Sequence, residues 1–404
     1  MTITVTTATT TPTAAATTTA ATAAAATTAT TTPVAAAVGA RVQRAELHHV
    51  AVSGRTDWLL LRITDSDGVS GWGECSDAGP LTAVLRELRE LAAWGQQAPD
   101  VGEFTRRTIA GAIEQAELDQ AARRAGRPLR DVLAEAGASL GGAGAPAGAV
   151  PADSVELYAD LNRAPGGRAP AEVAATALAA VRAGFRTVKL APFDTPGGDR
   201  LGYLGLARVQ AVREAVGDDV TILVDCHERL SLEDLTPLLE PFAELGIGWL
   251  EDGVGIDRPA DLARLRGLTG LTLAGGGLAH RIEQVEAAAG LLDVLLPDVK
   301  HAGGPLAALA LARATDARIS PRNSSGPVAT LHSAHLAAAI GAGPLAYAFG
   351  EVPWRAAVTG GREQIRDGRL ILPAGPGLGG EPDLRHPEVV KVWSDVIDLR
   401  RTSC

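Results

Sequence analysis

The sequence predicts an α/β protein, a TIM-like (β/α) barrel preceded by a smaller α+β domain. Three observations carry this. From about residue 153, short apolar segments alternate with amphipathic helical ones, eight times over. Before that, two strand-like stretches are followed by three helical ones, the order of an α+β unit. The 404 residues, 46% hydrophobic and 21% charged, are enough for a large core and too many for one small domain.

Residues 1–38 are almost entirely Thr and Ala, without charge. They hold little large apolar surface and no clear signal-peptide pattern, so a disordered extension is expected. The α+β domain is expected over 39–150. "VQRAELHHVAVS" and "DWLLLRITDSDGVSGWGECSD" read as strands, with Asp67 and Gly68 as a hairpin turn. "LTAVLRELRELAAW", "RRTIAGAIEQAELDQAARRAG" and "LRDVLAEAGA" carry apolar residues at helical spacing. "GGAGAPAGAVPAD" (141–153) reads as a linker.

The barrel is expected over 151–351. Its strands are "VELYADL", "RTVKLA", "VTILVD", "IGWLE", "LTLAG", "DVLLPD", "ARIS" and "LAYAFG", with helices such as "PAEVAATALAAVRAG" between them. Residues 352–404 leave the barrel, and "DGRLILPAGPGLGGEPDLRHP" reads as a segment returning to the first domain.

Composition narrows the partners. A net charge of −10 without a basic patch argues against nucleic acid. No apolar run is long enough to span a membrane. Three cysteines make no disulfide framework, which fits a reducing cytoplasm. Lys189, Lys300 and Lys391 are the only lysines among 37 basic residues, so a lysine at a strand end is informative.

Barrel chemistry lies at the carboxyl ends of the strands. There the sequence offers Lys189, Asp225 with His227, Glu251 with Asp252, Asp298 with Lys300 and His301, Arg322 with Asn323, and Glu351. Such groups on sequential parallel strands converge on one pocket. Asp225 and Glu251 are hard oxygen donors suited to Mg²⁺, or equally to a salt-bridge cage around Lys189. His227 could protonate a leaving group or orient a neighbour. Asn162 and Arg163, after the first strand, could meet an anionic substrate.

These residues sit in motifs that resemble the enolase superfamily, on the side of the mandelate racemases, muconate cycloisomerases and acid-sugar dehydratases. They are "DGVSGWGE", "TVKLAPFD", "ILVDCHERL", "WLED", "LLPDVKHAGG", "SPRNSSGPVATLHSAH" and "GPGLGG", spread over residues 40–385. The resemblance implies a (β/α)7β barrel with a capping domain completed by the C-terminal tail. It implies abstraction of a proton beside a substrate carboxylate, an enediolate held on Mg²⁺, and homo-oligomers. Two of the family's three metal carboxylates match, at Asp225 and Glu251. The third position is Gly277, in "LAGGG". On the second strand Lys189 matches, but Ala191 replaces the lysine that acts as base. Asp298 matches the strand-6 aspartate, while Arg322 stands where a catalytic histidine is expected. Asp225-x-His227 matches the dehydratases whose histidine protonates the departing hydroxyl.

One metal ligand and both usual bases are therefore absent together, and three readings stay open. The first is a divergent lyase or isomerase of a small carboxylic acid, working without the usual metal site. There Arg322 grips the substrate acid and base work falls to Lys189, Lys300, His301, Asp298 or Glu351. The second is a Mg²⁺-dependent acid-sugar dehydratase or racemase with His227 as acid, its metal shell completed by Asp252, Asp194 or the substrate. The third is a non-catalytic binding protein on the same scaffold. Further substrate contacts are expected from cap residues near Trp58 and 72–80, and from Asn323 and His301.

Overall fold

The alternating residues of the first strands put every second side chain on one face. In the computed structural model, which describes residues 42–54, 56–94, 104–140, 151–195 and 198–398, that face becomes a core. Strands β1 (Val42–Ala51), β2 (Asp57–Thr64) and β3 (Ser70–Glu74) form an antiparallel meander. Leu47, Leu59, Leu61 and Ile63 pack against Ile109, Ala112 and Ala116 of the helix Phe104–Arg124. The helices Leu81–Trp94 and Leu129–Leu140 complete the cap. The expected N-terminal extension (1–38) and most of the expected linker (141–150) lie outside the described residues.

Two glycines of "SGWGE" are explained by this packing. A Cβ on Gly71 would fall 1.9 Å from the Ala116 carbonyl oxygen, and one on Gly73 1.9 Å from that of Ala112. Only glycine lets the helix backbone lie this close to the strand.

The barrel strands are β4 (Ser154–Asp160), β5 (Thr187–Leu190), β6 (Thr221–Asp225), β7 (Trp249–Glu251), β8 (Leu273–Gly275), β9 (Val294–Leu295), β10 (Arg318–Ile319) and β11 (Leu345–Ala348). Each of the eight falls within its expected segment or within one residue of it. Consecutive strands from β4 to β10 pair in parallel, and β11 pairs in parallel with β4. The Ala346 N–H donates to the Pro321 carbonyl at 3.3 Å and joins the last two strands. Tyr158, Leu223, Trp249, Ala274, Val294, Leu296 and Ala346 form the buried cluster of strand side chains. Four barrel helices begin with proline, at Pro170, Pro259, Pro305 and Pro327, where the missing N–H costs nothing.

The C-terminal segment touches the barrel before it reaches the cap. The hairpin β12 (Gln364–Arg366) and β13 (Arg369–Ile371) lays β13 antiparallel on the start of β4. Gly377 then bridges to Pro128, and β14 (Val389–Asp398) pairs antiparallel with β1 as the cap's edge strand.

A second link between cap and barrel is a carboxylate. Buried Glu74, at the end of β3, accepts the Gly326 N–H at 2.6 Å and the Ala329 N–H at 2.9 Å. It thereby caps the barrel helix Pro327–Ile340, whose first turn has orphan donors and a positive dipole end. Among the described residues, no helix is long and apolar enough to cross a membrane.

Candidate active site at the carboxyl end of the barrel

Parallel pairing sets the ends of neighbouring strands at one height. Asp160 lies beside Lys189, and Asp225 beside Glu251. The Lys189 ammonium sits 2.7 Å from Glu251 Oε1, 3.1 Å from Asp225 Oδ2 and 3.7 Å from Asp160 Oδ2. All four groups are buried. Burial alone would discharge the lysine, but the surrounding carboxylates outweigh it and hold its pKa well above the ordinary value. Lys189 is thus a fixed positive charge, which removes it from the candidate bases. Glu251 Oε2 accepts the Trp249 indole N–H at 3.2 Å. Burial and the charge of Asp225 push the Glu251 pKa up, while Lys189 and His227 help hold Asp225 well below the carboxylate range.

His227 follows Asp225 by two residues, but strand alternation does not aim it. Its backbone is left-handed, with φ +45°. This turn brings Nε2 to 2.9 Å from Asp225 Oδ2 and Nδ1 to 2.8 Å from Asp194 Oδ2. Burial lowers the imidazolium's pKa, yet the bonds to the two carboxylates reverse this and push it up to about 10. The ring is a protonated donor at neutral pH.

Arg322 occupies the space that a side chain at position 277 would need. A Cβ on Gly277 would meet Arg322 Cδ at 2.6 Å and Nε at 3.4 Å. The guanidinium reaches toward Asp298, with Nη1 3.8 Å from Oδ2. Burial opposes its charge, but Asp298, Asp225, Glu251 and Asp252 raise its pKa further above the ordinary range. Asp298 is held low despite burial, by Lys300, His301 and Arg322.

A cavity of about 210 Å³ opens above this layer. Its barrel wall is Asn162, Arg163, Asp194, His227, Arg322 and Ser324, and the cap contributes Ser53 and Thr56. Asn162 Oδ1 already accepts the Ala191 N–H at 2.7 Å, which leaves its amide N–H groups for a ligand. Arg163 reaches across to the cap, with both Asp77 carboxylate oxygens at 2.9 Å. The wall is therefore cationic and rich in hydroxyl and amide donors, a surface for a small hydroxylated anion.

Several expected site residues turn elsewhere. Lys300 is buried, and its ammonium meets Ser325 Oγ with Asp298 at 3.5 Å. His301 lies against Phe104 of the cap, with ring centroids 4.7 Å apart, and burial lowers its pKa to about 3. Asn323 donates to Thr330 Oγ1 at 2.6 Å and is fully buried. Glu351 pairs with Arg355 at 2.9 Å. None of these four lines the cavity. Trp58 is likewise buried, against Trp354 and Arg355.

The sequence offers Asp194 only as a metal ligand and does not mark Ser324, while Ser53 and Thr56 lie in the cap loop near Trp58 from which substrate contacts are expected. The polar loop "SGRTD" between the first two strands is the one signal that could have pointed to the cap pair.

The donors present do not fit the three-carboxylate ion of the resemblance. Asp225, Glu251 and Asp252 do bring carboxylate oxygens within 4.8 Å of one another. However, the Lys189 ammonium already bonds the first two, and His227 bonds Asp225 as well. Position 277 supplies no ligand, and the stem of Arg322 fills its place. A dication there would face the buried Lys189 ammonium and the partly buried imidazolium of His227.

Residues 172–386, just over half of the chain, match the family model "Enolase C-terminal domain-like". The chain is 29% identical over 307 residues to a D-galactonate dehydratase of Ralstonia nicotianae, covering 69% of this chain and 75% of that one. It is 27% identical over 355 residues to a D-gluconate dehydratase of Thermoproteus tenax, covering 80% and 67% respectively. A solved member of the enolase superfamily from Salmonella Typhimurium superposes with a TM-score of 0.71 at 19% identity, covering 87% of this chain and all of that one. A mandelate racemase/muconate lactonizing enzyme from Jannaschia sp. superposes with a TM-score of 0.69 at 21% identity, over 85% and 95%.

Proposed function

Because the chain belongs to the enolase superfamily, we propose that it is a lyase that removes water from a small polyhydroxy carboxylate, with His227 as proton donor to the departing hydroxyl. One observation carries this reading: a protonated imidazole, fixed by carboxylates at both ring nitrogens, faces a cavity with cationic and hydroxyl walls. The dehydratases of sugar acids among its relatives support the substrate class.

In this reading Arg322 and Arg163 hold the substrate carboxylate, and Asn162 and Ser324 meet its hydroxyls. The α-proton passes to a base, and Asp194, the one carboxylate among the described residues of the cavity wall, takes that role. The C–H electron pair enters the carbon skeleton, the β C–O bond breaks, and the hydroxyl leaves as water with the His227 Nδ1 proton, whose bond to Asp194 is given up once that carboxylate has taken the α-proton. The enol product ketonises to a 2-oxo acid.

The test is incubation with a panel of five- and six-carbon aldonates in D₂O, followed by NMR for 2-oxo-3-deoxy acids and for α-deuterium. His227→Asn is expected to cut elimination by about 10²–10⁴-fold, the usual contribution of a general acid, while α-exchange persists. Asp194→Asn is expected to abolish both. A wild-type protein that neither exchanges nor eliminates with any of these acids refutes the proposal.

A further inference from the structure

We propose that Arg322, its stem filling the space of the missing third ligand, supplies the positive charge that the divalent ion would bring, so that the site binds its acid substrate and steadies the developing enediolate without metal. This deepens the reading above and rests on it for the nature of the ligand.

The geometry comes first. The gap at Gly277 is not empty space left by a lost ligand. It is filled by the aliphatic stem of Arg322, whose Cδ sits 2.6 Å from where a Cβ would be. No residue larger than glycine fits at 277 while the arginine keeps this path. The guanidinium is aimed by Asp298 at 3.8 Å and lies in the field of Asp225, Glu251 and Asp252. Its side chain lines the cavity, within reach of an incoming carboxylate.

The charge balance comes second. Against the pattern this chain resembles, Gly277 removes one negative charge and Arg322 adds one positive charge in place of a neutral histidine. The two changes together raise the site's charge by two, the charge of the ion they displace. A lysine base works in its neutral form, so Ala191 leaves that sum unchanged. Beneath, Lys189 neutralises the carboxylates that would have faced the ion.

The chemistry follows. A guanidinium forks onto a carboxylate through two parallel N–H bonds and stays charged at any working pH. When the α-proton leaves, the second negative charge spreads onto the same two oxygens. Those bonds then strengthen, which is the differential stabilisation the step requires.

The experiment measures metal and ligand binding separately, on the full chain. Mn²⁺ binding is followed by the EPR signal of the free ion, at millimolar metal. Acid binding is followed by the thermal shift with D-galactonate and D-gluconate in excess EDTA. The wild type is expected to bind no stoichiometric Mn²⁺, yet to be stabilised by acid in EDTA. Arg322→Met should weaken acid binding at least tenfold, and Arg322→Lys less so. The double variant Gly277→Glu with Arg322→His should gain one Mn²⁺ per chain. One Mn²⁺ per wild-type chain, displaced by Mg²⁺ and lost in Asp225→Asn, overturns the inference and leaves the dehydratase reading standing. Acid binding in EDTA that is unchanged in a folded Arg322→Met also overturns it. If no acid binds with or without metal, the substrate reading falls instead, and the Mn²⁺ stoichiometry alone decides whether the ion has been replaced.

Discussion

Acidification should unfold this protein partly through His332, a ring in the middle of the helix Pro327–Ile340. Its Nε2 lies 2.8 Å from the Trp72 carbonyl oxygen. That oxygen only accepts, so Nε2 carries the hydrogen and Nδ1 is bare. Among the described residues Nδ1 has no partner, and the residue is fully buried. Burial pushes the pKa down to about 4, against 6.5 in the unfolded chain. The unfolded state therefore binds more protons between these values. The stabilisation is complete above pH 6.5 and is lost as pH falls toward 4. A shift of this size corresponds to about 3 kcal/mol between pH 7 and pH 4, at 1.36 kcal/mol per pK unit. Urea denaturation of wild type and His332→Gln at half-unit pH steps measures it. Glutamine keeps a donor for Trp72 and cannot titrate, so its fixed packing cost cancels when slopes are compared. The variant's stability should fall less steeply with acid, by about 3 kcal/mol over the range. Parallel curves for the two proteins would refute the argument that this ring is buried and neutral.

Other perturbations test the same physics elsewhere. Lys189→Met leaves Asp160 and Glu251 buried without their cation and Asp225 with His227 in place of two partners. We expect a loss of about 3–5 kcal/mol in chemical denaturation, and a loss below 1 kcal/mol would sink the assignment. Gly73→Ala drives a methyl into the backbone of the cap helix and should cost about 3 kcal/mol or more. Gly267→Ala, in the helix Pro259–Leu268 with nothing within 4 Å of the new methyl, should instead stabilise by about 0.5–1 kcal/mol. Equal effects of the two alanines would show that close helix–strand approach is not what position 73 requires.

The barrel was legible because its signal is repeated. Eight apolar segments with helical spacers leave few topologies, and the charged residues at their ends converge in any of them. Lys189, Asp225 and Glu251 sit inside strands, where alternation fixes direction, and they meet as expected. Beyond the strand ends the loop backbone decides. His227 and Asp252 adopt left-handed conformations that no alternation rule anticipates. Lys300 and His301 are drawn toward Ser325 and the cap helix by partners distant in sequence, and Asn323 toward Thr330 in the helix that follows its loop. Arg322 lay between these cases. The sequence marked its position as altered, and only the contact with Gly277 shows that the two alterations are one event in space.

The grip of Glu74 on the start of the helix Pro327–Ile340 has a consequence for protein engineering. Arg322 stands four residues before Gly326, where that carboxylate takes hold, and five before Pro327 opens the helix. Caps and barrels of this architecture are thus not interchangeable parts. A chimera that imports a foreign cap without an acid at this place would slacken the loop that carries the arginine, and its catalytic fault would surface far from the splice.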